Sequence, residues 1–118
     1  MTYRTVLAAC LMLAACTNVG GGRSLVAESD INMMERTLQL ALDVHPDGEG
    51  RTWRNSVTGH SGSIVPIASY ITEHGVFCRD YRDTQMVGGR ETVYISRACR
   101  ADDSSWVWVE DIAAPRQL

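Results

Sequence analysis

Lysine is absent from this 118-residue chain: all eleven basic side chains are arginine, set against fourteen acidic ones, for a formal net charge of −3. A protein whose whole surface holds nucleic acid needs clustered positive charge, so this balance excludes it. Only three prolines and ten glycines occur, without a triplet period, which excludes a collagen-like chain. The longest apolar run, Val6–Ala15, has ten residues. A bilayer-spanning helix needs about 20. No C-x-x-C pair and no nucleophile-elbow pattern are present. What remains is 45% apolar and 21% charged residues, an ordinary globular mixture rather than a disordered one, of a length that suits one small domain.

The chain start has the order of a secretory signal. Arg4 and the α-amine precede the apolar Val6–Ala15, and small residues follow. Leu13-Ala14-Ala15-Cys16 resembles a bacterial lipobox, which predicts cleavage after residue 15 and attachment of diacylglycerol and an acyl chain to Cys16. Leu7-Ala8-Ala9-Cys10 carries the same letters, but would leave only Val6–Ala9 as apolar segment, too short for a signal. A buried N-terminal helix or strand is the alternative reading of the run. Several acyl chains on one cysteine give stable anchoring where one chain does not. Thr17 stands where bacterial lipoproteins held at the inner membrane resemble one another in carrying aspartate, so the outer membrane is the expected destination.

Of the four cysteines, Cys78 and Cys99 are then left, and an exported chain meets an oxidising compartment. Residues 16–28, with Gly20-Gly21-Gly22, read as a lipidated flexible tether. A domain is expected over 29–110 and a patternless tail over 111–118. Ser29 or Asp30 can cap a helix in which Ile31, Met34, Leu38, Ala41 and Leu42 share one side, ending near Val44 before His45-Pro46. That stripe is expected to cover a sheet face. Strands are expected at Arg51–Asn55, Ser63–Tyr70, Val76–Val87, Arg90–Arg100 and Ser105–Glu110, with Ser56–Gly62 as a polar loop and Pro66 marking an edge strand. The fold class is therefore α+β: one N-terminal helix packed on a four- or five-stranded antiparallel sheet, with partial closure into a barrel as the alternative.

Gly88-Gly89 reads as a two-residue hairpin turn. Counting outward from it sets Cys78 opposite Cys99 and Asp80 opposite Arg97. Facing residues have Cα atoms about 4.5 or 5.5 Å apart, within or near what a disulfide needs. Cys78, Asp80, Met86, Val93, Ile95, Arg97 and Cys99 fall on one face of the hairpin. Phe77, Tyr81, Tyr94 and Ala98 fall on the other. Both faces are partly apolar, and the pattern does not choose which one the helix covers. A bridge closing this loop is worth about 3.4 kcal/mol in the chain-entropy model.

Chemistry is sparsely signalled. His60-Ser61 are neighbours in sequence, which does not place an imidazole nitrogen on a hydroxyl. His45, His60 and His74 lack metal-ligand spacing. Asp102-Asp103 and Glu110-Asp111 read as solvated charges rather than a glycosidase pair. Trp53, Trp106 and Trp108 could form a binding platform, although core packing between helix and sheet is the simpler reading. The candidate recognition surface is the glycine-rich loop and its flank: Trp53, Asn55, Gly59, His60, Ser61 and Gly62.

The motifs Ala41-Leu42, Pro46-Asp47-Gly48, Trp53-Arg54-Asn55, Thr58-Gly59-His60-Ser61-Gly62, Phe77-Cys78-Arg79-Asp80-Tyr81, Gly88-Gly89, Ala98-Cys99-Arg100 and Trp106 run in order over Leu38–Val109. This ordered set resembles the C-terminal domain of the rickettsial-type seventeen-kilodalton surface antigen family of outer-membrane lipoproteins. Members often carry a glycine-zipper segment between lipid and domain, where this chain has only Gly20-Gly21-Gly22. The resemblance implies an envelope protein with an immunologically visible surface and no known enzymatic activity. The expectation is thus a non-catalytic lipoprotein, without a cofactor beyond its lipid. It would be held at the outer membrane through Cys16 and face the periplasm or the exterior. Its partner would be another envelope protein or a peptidoglycan-related component. The alternative is a binding module, such as an inhibitor of a cell-wall hydrolase.

Overall fold

The computed structural model describes residues 25–117. The expected signal peptide, Cys16 and most of the expected tether lie outside the described residues. Helix α1 spans Glu28–Val44. It starts one residue inside the expected tether, and neither Ser29 nor Asp30 is its N-cap: Ala27 is. Asp30 instead sits in the first turn, where its carboxylate accepts the Ala27 N–H at 2.9 Å. An acidic side chain three residues past the cap satisfies the cap residue's own N–H from inside the helix. The other end stops as expected, with His45 extended ahead of Pro46.

Five strands follow: β1 (Arg51–Arg54), β2 (Ser61–Ile71), β3 (Phe77–Val87), β4 (Arg90–Arg100) and β5 (Trp106–Gln117). They pair antiparallel in chain order, so the sheet is an open meander with β1 and β5 at its edges, and the barrel alternative is not realised. The β3–β4 turn has both glycines at positive φ, as a two-residue turn matching strand twist requires. The expected register holds, with Cys78 facing Cys99 and Asp80 facing Arg97.

Three strand assignments change. Ser61 and Gly62 belong to β2, not to the preceding loop. Pro66 lies in a strand flanked by β1 and β3, yet β1 pairs only with Ser61–Ile64. Beyond that short neighbour Pro66 sits at a register shift, and its carbonyl accepts the Gly48 N–H at 2.7 Å. The missing proline donor thus interrupts no ladder between two full strands. Finally, β5 continues to Gln117, so 111–117 are sheet and not tail. Three register shifts against β4 disturb the two-residue alternation, and Pro115 is tolerated because β5 is an edge.

Helix α1 covers the Tyr81–Ala98 face. Leu38, Ala41 and Leu42 form one buried cluster with Ile64, Tyr81, Ala98 and Trp106. Burying a large apolar side chain contributes about 1.5–3 kcal/mol. Trp53 and Trp106 are core residues, as the simpler reading held; Trp108 is not, being 56% exposed. Trp106 is fixed further by its indole N–H on Asp43 at 2.9 Å and by Gln39, which bonds both its backbone N–H and its carbonyl.

Arg79 fastens the far end of the helix. Its buried guanidinium donates to the carbonyls of Leu42 and His45 at 2.7 Å each, and to Asp47 at 2.9 Å. Carbonyls at a helix end lack intrahelical donors, and Arg79 supplies them from the sheet. Its proximity in turn holds the Asp47 carboxyl below its ordinary range, with help from the Ser69 hydroxyl.

Candidate functional site

Beyond β1 the chain closes a tight loop. Asn55 N–H donates to the His60 carbonyl at 2.9 Å and Gly59 N–H to the Asn55 carbonyl at 2.8 Å, with Gly59 at φ +76°. Only glycine takes that backbone conformation cheaply. The Asn55 side-chain oxygen accepts the Val57 N–H at 3.0 Å, which fixes the first turn.

Beneath this loop lies Asp30, fully buried. Its Oδ1 accepts Asn55 Nδ2 at 2.8 Å and Thr58 Oγ1 at 2.7 Å. Its Oδ2 accepts Ala27 N–H at 2.9 Å and lies 2.7 Å from His60 Nδ1. Asn55 Nδ2 also reaches Ser29 Oγ at 2.9 Å. Four donors fill the four lone-pair sites of one carboxylate. Burial alone would raise the Asp30 carboxyl, but the donors from His60, Thr58, Ala27 and Asn55 outweigh it and hold the group well below the usual carboxylate range. An ionised carboxylate only accepts, so the proton between Asp30 and His60 sits on Nδ1.

An aspartate that orients an imidazole is two-thirds of a hydrolase triad. The third partner does not join it. Ser61 begins β2, where alternation sends its side chain to the face opposite Gly62 and Ile64, while His60 turns under the helix onto Asp30. Ser61 Oγ makes no hydrogen bond among the described residues. No group of three His, Cys, Asp or Glu among the described residues could hold a metal ion.

The six candidate recognition residues therefore separate. Asn55 and His60 meet through Asp30, and Gly59 shapes their turn. Trp53 and Gly62 form a second unit: a Cβ at 62 would lie 2.6 Å from Trp53 Nε1 and 2.3 Å from the Thr84 carbonyl oxygen. The two pack closely against one another. The loop presents Val57 to solvent at 87% exposure. Sequence reasoning missed Thr58 as an Asp30 donor and missed Asp30 itself as a hub. The available signal was an acidic residue at the helix start with no apolar function.

On the other face of the sheet Cys78 and Cys99 are bonded, their Cα atoms 4.0 Å apart. Beside them Asp80 accepts Tyr70 OH at 2.9 Å and Arg97 Nε at 3.0 Å, and Arg97 Nη1 donates to Glu110 at 2.7 Å. The Arg97 guanidinium also lies over the Tyr70 ring. Burial, then Asp80, raise the Tyr70 phenol.

The family profile described as "17 kDa outer membrane surface antigen" matches residues 41–107, more than half the chain. The chain belongs to this family. The 17 kDa surface antigen of Rickettsia bellii strain RML369-C is 37% identical over 79 residues, 67% of this chain and 50% of the relative. The protein of the same name from Rickettsia prowazekii strain Madrid E is 35% identical over the same shares. The chain thus spans about half the length of the curated relatives it matches. No solved structure matches. The part matched by the 17 kDa family profile takes in the loop, Gly62 and both bridged cysteines, and begins after Asp30.

Proposed function

We propose that this protein is a lipid-anchored component of the bacterial outer membrane with a structural or docking role and no catalytic role. The observation that carries this reading is the family match over 41–107, because the family is described as an outer membrane surface antigen and the relatives are named surface antigens. The lipobox ending at Cys16 supports the anchor. The separation of Ser61 from the Asp30–His60 pair supports the non-catalytic half: the imidazole is oriented, but among the described residues no hydroxyl or thiol bonds its other ring nitrogen. The disulfide fits an oxidising compartment.

The test is mass spectrometry of the native protein together with membrane fractionation. A chain that begins at lipid-modified Cys16 and leaves the outer membrane on Cys16→Ser substitution is expected. An intact N-terminal Met1, or hydrolysis of ester or cell-wall substrates that His60→Ala abolishes, would overturn the reading.

A second reading is a binding module, such as an inhibitor of a cell-wall hydrolase. Val57 favours it: an apolar side chain, almost fully exposed, at the tip of a loop held from below by Asp30. A preordered loop loses little entropy on binding. A stoichiometric complex with lysozyme-type enzymes, lost on Val57→Asp, is the expected result. Absence of binding at micromolar concentration removes it.

A further inference from the structure

The first turns of α1 do not close onto the sheet. Leu38, Ala41 and Leu42 are buried, but Ile31, on the same stripe, is 54% exposed. Between it and the sheet lies a cleft of about 200 Å³. Ile31, Met34 and Leu38 line it from the helix, and Ile64, Tyr81 and Trp108 from the sheet. The exposure of Trp108, unexpected for a tryptophan facing the helix side, follows from its place on this wall.

Two carboxylates interrupt the apolar lining, Glu35 and Asp83. Asp83 Oδ1 is buried and has no hydrogen-bond partner. Its Oδ2 takes one long contact, 3.4 Å, from Gln85 Nε2. A buried carboxylate oxygen without a donor is costly and calls for an explanation. Glu35 on α1 and Asp111 on β5, the charged groups that act on this corner, are acidic as well. Burial pushes the Asp83 carboxyl up to about 6; the Gln85 contact opposes the rise and Asp111 adds to it. The cleft has aliphatic walls, two aromatic rings and negative charge, and none of the described residues that line it is a cation.

We propose that this cleft binds an alkylammonium group, with the stem against Ile31, Met34 and Leu38 and the ammonium at the Asp83 carboxylate. The chain has no lysine side chain to supply the group. A drug-sized site runs to about 300–1,000 Å³, so this smaller space suits one side chain or one small amine. A guanidinium prefers both oxygens of a carboxylate, and Gln85 lies at 3.4 Å from one of them; a point-charge ammonium needs only a single oxygen. Trp108 and Tyr81 also line the cleft, and aromatic rings attract cations.

The test is an NMR titration of the full chain with N-acetyl-lysine methylamide and, separately, with n-butylammonium. The readouts are the Trp108 indole N–H and the Met34 methyl. Saturable shifts with a dissociation constant on the order of 1 mM are expected for a lone side chain. Asp83→Asn, which keeps the shape, weakens them about tenfold or more, as loss of a charge-assisted bond does. Tighter binding of the lysine derivative identifies a protein side chain as the source, and tighter binding of n-butylammonium a free amine. Either supports the site. No shift at millimolar probe, equal shifts with n-butanol, or unchanged binding by a folded Asp83→Asn protein would overturn it. Amide shifts of Asp83→Asn that match the parent protein's outside the cleft keep a folding defect from being read as lost binding.

Discussion

The carboxylate of Asp30 and the Nδ1 of His60 lie 2.7 Å apart, thirty residues distant in the chain and both turned inward. One is in the first turn of α1, the other ends the loop after β1. Through this contact and those of Asn55 and Thr58 the helix start is tied to the loop after β1 by polar bonds, as its end is tied to the sheet by Arg79. Between these two anchors runs the apolar cluster. The histidine singled out as a candidate recognition residue thus also joins the loop to the helix start.

Replacing Asp30 by asparagine turns an acceptor into a donor facing donors. Breaking a buried charged network from one side costs about 3–5 kcal/mol. Small domains have about 5–15 kcal/mol in total. A urea titration at pH 7 should show this loss, with His60→Ala costing less because Asn55, Thr58 and Ala27 still serve the carboxylate. The folded-state pKa of Asp30 is depressed, so its contribution is present above the unfolded value, about 3.9, and is lost as pH falls through the folded one. The gap between Asp30→Asn and the parent should therefore narrow below about pH 4.

Gly62→Ala should destabilise severely. The added methyl meets the Thr84 carbonyl oxygen on one side and the Trp53 indole on the other. Backbone cannot yield without opening the β2–β3 ladder, and overpacking of this kind costs about 1–3 kcal/mol or more. Gly59→Ala should cost about 1 kcal/mol, since only its positive φ objects and the space around it is open. The ratio of the two, from thermal unfolding, separates close packing from turn geometry.

Most of the architecture was legible because it rests on local signals. The stripe from Leu38 to Leu42, the His45-Pro46 stop and the Gly88-Gly89 turn each act within a few residues, and the hairpin carried the cysteine pairing with it. Three features were not legible. The continuation of β5 was hidden because its register shifts arise from pairing with β4, which its own letters do not record. The exposure of Trp108 and Ile31 depends on how far the helix stands off the sheet. The Asp30 hub was hidden because Asn55, Thr58 and His60 look like ordinary turn residues until the helix start is placed beneath them.

Removing the bridge with a Cys78→Ala, Cys99→Ala pair should lower stability by about 3 kcal/mol, the value for a loop of this length. The sequence separation is 21 and Cys78 is fully buried. In the native protein both thiols should resist alkylation until the chain is unfolded and reduced. Rapid labelling of the folded protein would show that the pair is open.

Asp83→Asn should stabilise the protein, and only above its own titration. The folded-state pKa is raised to about 6 against about 3.9 unfolded. Between these values the folded state holds a proton that the unfolded state has released, so stability falls as pH rises. Above about pH 6 the full penalty of a buried, unpartnered carboxylate is present, about 1–2 kcal/mol after allowing for partial exposure. The asparagine variant avoids it. Denaturation midpoints measured from pH 4 to pH 8 should coincide at the acid end and separate upward through pH 6. A lysine-bearing ligand seated on Asp83 would reverse the slope in the parent protein alone, because an ammonium favours the ionised carboxylate and binds only the folded state.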